Sequence, residues 1–266
     1  MNTPFEAEAG AALRIDRKQM PYELSAGVGW RARVGLIVLS SDYTMEHEFS
    51  RMLSLPGVAV YHSRIDNDAN INAASLAAMR ARVAASAALI TPQGALDVVV
   101  FGCTSASMVI GAQAIRELIQ GVRADVPCTT PIEAVAAAFA ALRVRKIALI
   151  TPYIDAINRQ MRAYLLGAGM EVPVMGSWNI GDDNAVAMLS AQSIAQAVCE
   201  LGREADVDAV FVSCTNVPLL AQIEELERTI GKPVISSNSA TAWHSLRLAG
   251  VDDRVAGGGQ LFGAQL

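Results

Sequence analysis

Short β-branched runs alternate with longer amphipathic stretches along this chain. The runs at 33–40, 57–63, 97–102, 146–152, 171–176, 208–213 and 232–237 are apolar along most of their length. Continuous apolarity, in place of strict alternation, predicts strands covered on both faces, as in a parallel sheet. Helical spacing of apolar residues follows over 71–90, 106–121, 131–142, 154–167, 184–203, 216–230 and 238–249. Glycine in GAGMEV (167–172) supplies a stop just past one of these helices. The alternation predicts an α/β fold with parallel sheets, its working loops at the carboxyl ends of strands. Residues 1–32 read as an irregular lead-in.

Two of the predicted strands end alike, in VVVFGCTSAS (98–107) and VFVSCTNVPL (210–219). Asp97 and Asp208, Val99 and Val210, Cys103 and Cys214, and Thr104 and Thr215 are all separated by 111 residues. The same shift lays VGLIVLSSD (34–42) on RKIALITPY (145–153), so that Asp42 falls on Tyr153. Each half then has a Pro-led strand ending in hydroxyls, PCTT (127–130) and PVISSN (233–238). One offset linking several segments predicts duplicated lobes related by a pseudo-twofold axis. Lobe 1 is expected over 33–128 plus 236–266, and lobe 2 over 129–235. Such an axis brings both Cys-Thr loops to one cleft, where a carbon can be attacked from two faces. A thiolate serves there as base or nucleophile and a thiol as the matching acid. Both cysteines are expected where a strand ends and a helix begins, a position that lowers a thiol pKa and whose amides hold a carboxylate.

Composition removes several other functions. Among 266 residues the net charge is −5 and the basic residues are scattered, which argues against a nucleic-acid surface. No apolar run is long enough for a membrane span. The first twenty residues are acidic in part and lack an apolar core, so no signal peptide is read there and a cytoplasmic location is expected. Thiols stay reduced in that compartment, so a Cys103–Cys214 disulfide is not expected. His47, His62 and His244 are isolated and show no metal-ligand spacing. GVGW (27–30) precedes a strand, where a dinucleotide fingerprint follows one, and no P-loop is present. Lysines occur only at 18, 146 and 232, none in an evident cofactor loop.

The ordered set GLIVLSSDYTMEHEF, FGCTSAS, LITPYIDAINRQM, GDDN and VSCTN, over roughly 33–262, resembles the aspartate/glutamate racemase superfamily. It is most similar to the maleate cis-trans isomerase and arylmalonate decarboxylase branch, and within that to the ectoine-utilisation protein A group. The resemblance implies two flavodoxin-like lobes, no cofactor, a small carboxylate or amino-acid substrate, and a homodimer or larger homo-oligomer. In the isomerase pattern the first cysteine adds to the double bond of maleate, the central bond rotates, and elimination gives fumarate. Carried over, Cys103 is the nucleophile or base and Cys214 the opposing acid/base. Thr104, Ser105 and Tyr153 match carboxylate-binding positions, Asn184 of GDDN a substrate-binding asparagine, and Thr215 and Asn216 the second lobe's donors. Asp42 departs from the pattern, because isomerases tend to carry asparagine there. An ionised Asp42 only accepts hydrogen bonds, so the substrate is expected to present a donor such as an ammonium or amide.

Plainer roles stand beside these. A strand-end cysteine is usually core, and Cys128 and Cys199 are read that way. Thr104 and Ser105 cap a helix as well as they bind a ligand. Tyr153 packs, or Asp42 caps a helix, in the structural reading. A decarboxylase of this branch needs only the cysteine matching Cys214, and a non-catalytic two-lobed binding protein needs neither. Keeping both thiols favours an isomerase or racemase.

Overall fold

A computed structural model describes residues 14–266. Residues 14–31 of the expected lead-in carry no helix or strand, and residues 1–13 lie outside the described residues. The strands are β1 (Ala32–Leu39), β2 (Val58–Ile65), β3 (Val98–Gly102), β4 (Cys128–Thr129), β5 (Lys146–Thr151), β6 (Glu171–Ser177), β7 (Ala209–Val212) and β8 (Val234–Ser236). They form two four-stranded sheets in the orders β2-β1-β3-β4 and β6-β5-β7-β8, with every pairing parallel. The second order is the first repeated, so the duplication read from the 111-residue offset is a duplication of topology. The central strands β1, β3, β5 and β7 are buried almost end to end, the burial that their unbroken apolar runs predict.

Around the sheets pack α1 (Met45–Met52), α2 (Ala73–Ala78), α3 (Val83–Leu89), α4 (Thr104–Ile110), α5 (Ala112–Gln120) and α6 (Pro131–Leu142). The chain continues through α7 (Asp155–Gly167), α8 (Asp183–Val186), α9 (Ala191–Gly202), α10 (Ile223–Ile230) and α11 (Ser237–Leu248). Local chemistry starts several of these helices. Thr130 caps α6 by accepting from the Glu133 amide, with Pro131 at the first helical position. Ser236 and Ser239 form a reciprocal capping box on α11. That helix packs on α6 and also reaches α1, β3 and β4 of the first half.

Four expectations about helices change, and α1 lies where none was read. The helix expected over 71–90 divides into α2 and α3 around a 3-10 turn at Met79–Arg82. The helix expected over 106–121 breaks at Gly111, whose φ of 91° ends α4 before α5 begins. The one expected over 184–203 divides into α8 and α9, because Ser190 starts a new helix as an N-cap. The one expected from 216 begins only at Leu220, in a 3-10 turn leading into α10. In each lobe the strand order reverses between the first and third strands, and such a switch point opens a crevice at the strands' carboxyl ends. Cys103 follows β3 and Cys214 follows β7, so each lies at its lobe's switch point.

Candidate active site

Cys103, Thr104 and Ser105 from the first lobe and Tyr153, Cys214 and Thr215 from the second line one pocket. Leu39, Ile71, Leu76 and Met79 close over it. Its free volume is about 10 Å³, room for roughly one water. A substrate larger than a water therefore needs part of the lining to move.

Cys103 reaches its place because Gly102 lets β3 run close beneath α1. A Cβ there would strike the Met45 sulfur and lie 2.9 Å from the Ile37 carbonyl oxygen. Cys103 itself is extended (φ −149°) and caps α4, its Sγ accepting from the Ala106 amide at 3.4 Å. The Ser105 hydroxyl lies 3.7 Å from the same sulfur. Cys214 sits in a different backbone, with φ at 124°, a conformation that costs a non-glycine residue about 1–3 kcal/mol. Its Sγ accepts from the Asn216 amide at 3.5 Å. It does not stand at a helix start, which corrects that expectation for this thiol.

The expected lowering of the thiol pKa values is overturned. Both sulfurs are buried, and burial pushes Cys103 up to about 12 despite the Ala106 and Ser105 donors. Cys214 is pushed well above the ordinary thiol range, first by burial and then by the charge of Asp183. Desolvation outweighs the local dipoles in so closed a pocket. Burial also holds the Tyr153 hydroxyl in its neutral form, 3.4 Å from the Ser213 hydroxyl.

A polar network joins the two loops. Ser237 Oγ accepts from Thr104 Oγ1 at 2.8 Å and from the Cys214 amide at 3.0 Å, linking one Cys-Thr loop to the other. Asn216 does not enter the pocket lining. Its Oδ1 accepts from the Tyr43 amide at 2.9 Å, and its Nδ2 donates to the Ser41 and Asp183 carbonyls at 3.3 and 2.9 Å. Glu48 is buried and accepts from the Leu219 and Leu220 amides and from Asn238 Nδ2, each at 2.8 Å. Asn238 Nδ2 also donates to the Thr215 carbonyl at 2.7 Å, which fixes the strand of chain carrying Cys214.

Asp42 lies behind the lining. Its Oδ1 accepts from the Thr44 and Met45 amides at 2.8 and 2.7 Å, starting α1, the capping role weighed for it above. Its Oδ2 is buried without a hydrogen-bond partner, and burial raises its pKa against those amide bonds. Asn184 is half-buried, its amide group turned to Asp182 at 3.1 Å, and it does not line the pocket. Its neighbour Asp183 does. Asp183 accepts from the Ser41 hydroxyl through Oδ2, and burial raises its pKa to about 6. Asp183, Ser237 and Glu48 were not among the expected site residues. The doubled acid in GDDN was the one available signal, for Asp183. Among the described residues no group of three or more His, Cys, Asp or Glu side chains is placed to hold a metal ion. No described helix is long and apolar enough to cross a membrane.

Two sheets of the same order, with a cysteine at each switch point and a shared pocket, define a two-lobed α/β protein with paired thiols. The arylmalonate decarboxylase family model matches residues 35–262, and the chain belongs to that family. A maleate isomerase from Nocardia farcinica is 28% identical over 239 residues, covering 86% of this chain and 94% of that protein. An arylmalonate decarboxylase from Bordetella bronchiseptica is 35% identical over 175 residues, 64% of this chain and 72% of that one. The maleate isomerase Iso from Pseudomonas putida S16 superposes with a TM-score of 0.80 at 29% identity, covering 87% of this chain and 98% of its own. A cysteine-to-serine mutant of the Nocardia farcinica isomerase, carrying a covalently bound succinylcysteine intermediate, superposes with a TM-score of 0.78 at 27% identity. That match spans 87% of this chain and 98% of that one.

Proposed function

We propose that this chain is a cofactor-independent isomerase of the maleate isomerase type, acting on a small carboxylic or amino acid through paired thiols. The observation that carries the reading is the convergence of Cys103 and Cys214, from matching positions of the two sheets, on one closed pocket. The succinylcysteine in a related isomerase supports covalent or base chemistry at one of them. Cys103 is the nucleophile or base, because two donors address its sulfur and make its thiolate the more accessible of the pair. Cys214 is the opposing acid/base. Ser105, Tyr153 and Thr215 supply hydroxyls that stabilise a carboxylate or the enediolate formed beside it, and Thr104, whose hydroxyl donates to Ser237, lines the pocket beside them. Asn216 acts by holding the second loop in register. Asn184 has no contact that supports the direct role expected of it.

The same reading divides the lobes at 33–128 with 236–266 and at 129–235; the packing of α11 on α1, β3 and β4 supports assigning it to the first lobe, although it also packs on α6 of the second. It puts the enzyme in the cytoplasm, where thiols stay reduced, as a homodimer or larger homo-oligomer in ectoine utilisation. Small carboxylic and amino acids, maleate among them, are to be incubated in deuterated water and followed by NMR. Isomerisation or carbon-bound deuterium uptake that needs both thiols is expected. Turnover undiminished in both Cys103→Ala and Cys214→Ala would overturn the reading.

A further inference from the structure

The two lobes close the same turn differently. Gly57 and Gly169 follow α1 and α7 at positive φ, 77° and 83°. A Cβ on Gly57 would meet the Trp30 indole at 2.4 Å, so the indole covers that turn. At Gly169 no such atom lies within 4 Å. Gly169 borders instead an apolar groove of about 220 Å³ between α6 and α7. Ile132, Phe139, Tyr164, Leu165 and Met170 line it, and Arg145 is its one charged residue. Only residues 143–145 separate α6 from β5, too short a link to carry a covering side chain as the lead-in carries Trp30. The lead-in in turn holds apolar side chains that cover nothing in this chain. Met20, Tyr22 and Leu24 are 57, 78 and 90% exposed and alternate with Pro21 and Glu23. Alternate residues of an extended chain share a face, and Pro21 biases Met20 to the extended region. Among the described residues neither Glu23 nor Arg145 forms an ion pair. Residues 20–24 also precede residue 35, where the family match begins, so this surface lies outside the matched fold.

We propose that residues 20–24 of one copy lie in the α6–α7 groove of a second copy, in a reciprocal exchange. This contact is the interface of the homo-oligomer named above and rests on that part of the reading alone. The groove takes apolar side chains, and Met20, Tyr22 and Leu24 bring three on one face. Glu23, on the opposite face, stays at the surface and pairs with the exposed Arg145. One sequence thus carries both halves of the contact, and a twofold axis satisfies it twice, which favours a second copy over an unrelated protein. The area suits a stable dimer. Three such side chains with their backbone cover roughly 350 Å² on each side of one contact, so two contacts bury roughly 1,400 Å², a standard interface.

Sedimentation velocity of the full chain tests this. The wild type is expected to self-associate at least as a dimer at about 10 µM, and Tyr22→Ser with Leu24→Ser to weaken that association about tenfold or more. Glu23→Arg and Arg145→Glu should each weaken it, and the two together should restore it. These four side chains are exposed, so the variants should fold, which thermal melting checks. A photo-cross-linking residue at position 22, in a mixture of heavy- and light-isotope chains, should link to residues 131–142 or 164–170 of the other isotope. A monomeric wild type overturns the proposal, as does self-association indifferent to the Tyr22 and Leu24 changes. Charge reversals that do not rescue each other overturn it too, as do cross-links within one chain or to another surface, the marks of a folded-back arm or a different interface. No readout uses turnover, so a failed interface leaves the paired-thiol reading standing, and a failed thiol reading leaves the interface.

Discussion

The two Cys-Thr loops leave equivalent strands and then part company. After β3, Cys103 is extended, caps α4 directly and has an amide and a hydroxyl beside its sulfur. After β7, Cys214 adopts a positive φ, and the chain runs to Leu220 before any helical turn. Its amide is held from outside by Ser237, and the segment beyond it by Glu48 and Asn238. One loop is therefore fixed by its own helix and the other by distant residues. Duplication supplies opposed positions for two thiols, and the divergence of the loops supplies their inequality. The charge of Asp183 adds to burial in raising Cys214, whereas at Cys103 the Ala106 amide and the Ser105 hydroxyl oppose burial. On the proposed reading this suits Cys214 to keep its proton as the acid and Cys103 to ionise.

The largest effect expected is on that inequality. Cys103→Ala and Cys214→Ala should each lower turnover by about 10²–10⁴-fold or more, with melting temperatures little changed. Serine variants sharpen the comparison. In Cys214→Ser a substrate adduct should accumulate on Cys103, visible by mass spectrometry, whereas Cys103→Ser should trap nothing on Cys214. Adducts on Cys214 in place of Cys103 would reverse the assigned roles.

Next comes the external support of the second loop. Glu48→Ala leaves the Leu219 and Leu220 amides and the Asn238 amide group without their acceptor in a buried place. The cost should be about 2–4 kcal/mol, read by denaturant unfolding. The first loop has no such dependence, so the variant should lose activity through Cys214 while adducts on Cys103 still form. A stability loss below about 1 kcal/mol would mean that the second loop holds its shape without Glu48.

These dependences explain what was legible beforehand. The strand runs, the offset of 111 residues and the shared Cys-Thr endings are local patterns, and the topology repeats them faithfully. Asn216 sat in the right loop but works as a brace, and Asn184 shares a short helix with the residue that enters the pocket. Neither difference is visible in spacing, because a four-residue helix presents neighbours in different directions and the pattern does not say which. Glu48 and Ser237 lie 171 and 23 residues from the second-loop atoms they hold, and no periodicity links them. The thiol pKa values went the other way for the same reason. Helix position is a local property, but desolvation depends on Leu39, Ile71, Leu76 and Met79 closing from elsewhere in the chain.

Asp183 offers a pH test of the charge that separates the two thiols. Its pKa is raised to about 6 from 3.8, so the folded state holds this proton more tightly than the unfolded chain does. The protonated form's contribution to stability is complete below about 4 and lost as pH rises through 6. Asp183→Asn, which keeps an acceptor for Ser41, should therefore stabilise the protein by about 1–3 kcal/mol at pH 7 and by little at pH 4. Chemical denaturation at the two pH values measures the difference. An equal effect at both would mean that this carboxyl is not under the strain its burial implies.

The smallest effect should come from the one hydroxyl that joins the loops. Ser237 Oγ accepts from Thr104 Oγ1 and from the Cys214 amide, so Ser237→Ala deprives both buried donors at once. The Thr104 hydroxyl can rotate toward another acceptor, but the Cys214 amide is held in a positive-φ backbone and cannot. The expected loss of stability is about 1–2 kcal/mol, nearer the cost of one unsatisfied donor than of two. The two loops should respond unequally: Cys103 adducts should form at nearly the wild-type rate, while proton removal through Cys214 in the elimination should slow, seen as a larger fall in product release from the adduct than in its formation. Single-turnover mass spectrometry separates those steps. Equal slowing of both would show that Ser237 sets the spacing between the thiols as a unit, and that the second loop is no more dependent on distant support than the first.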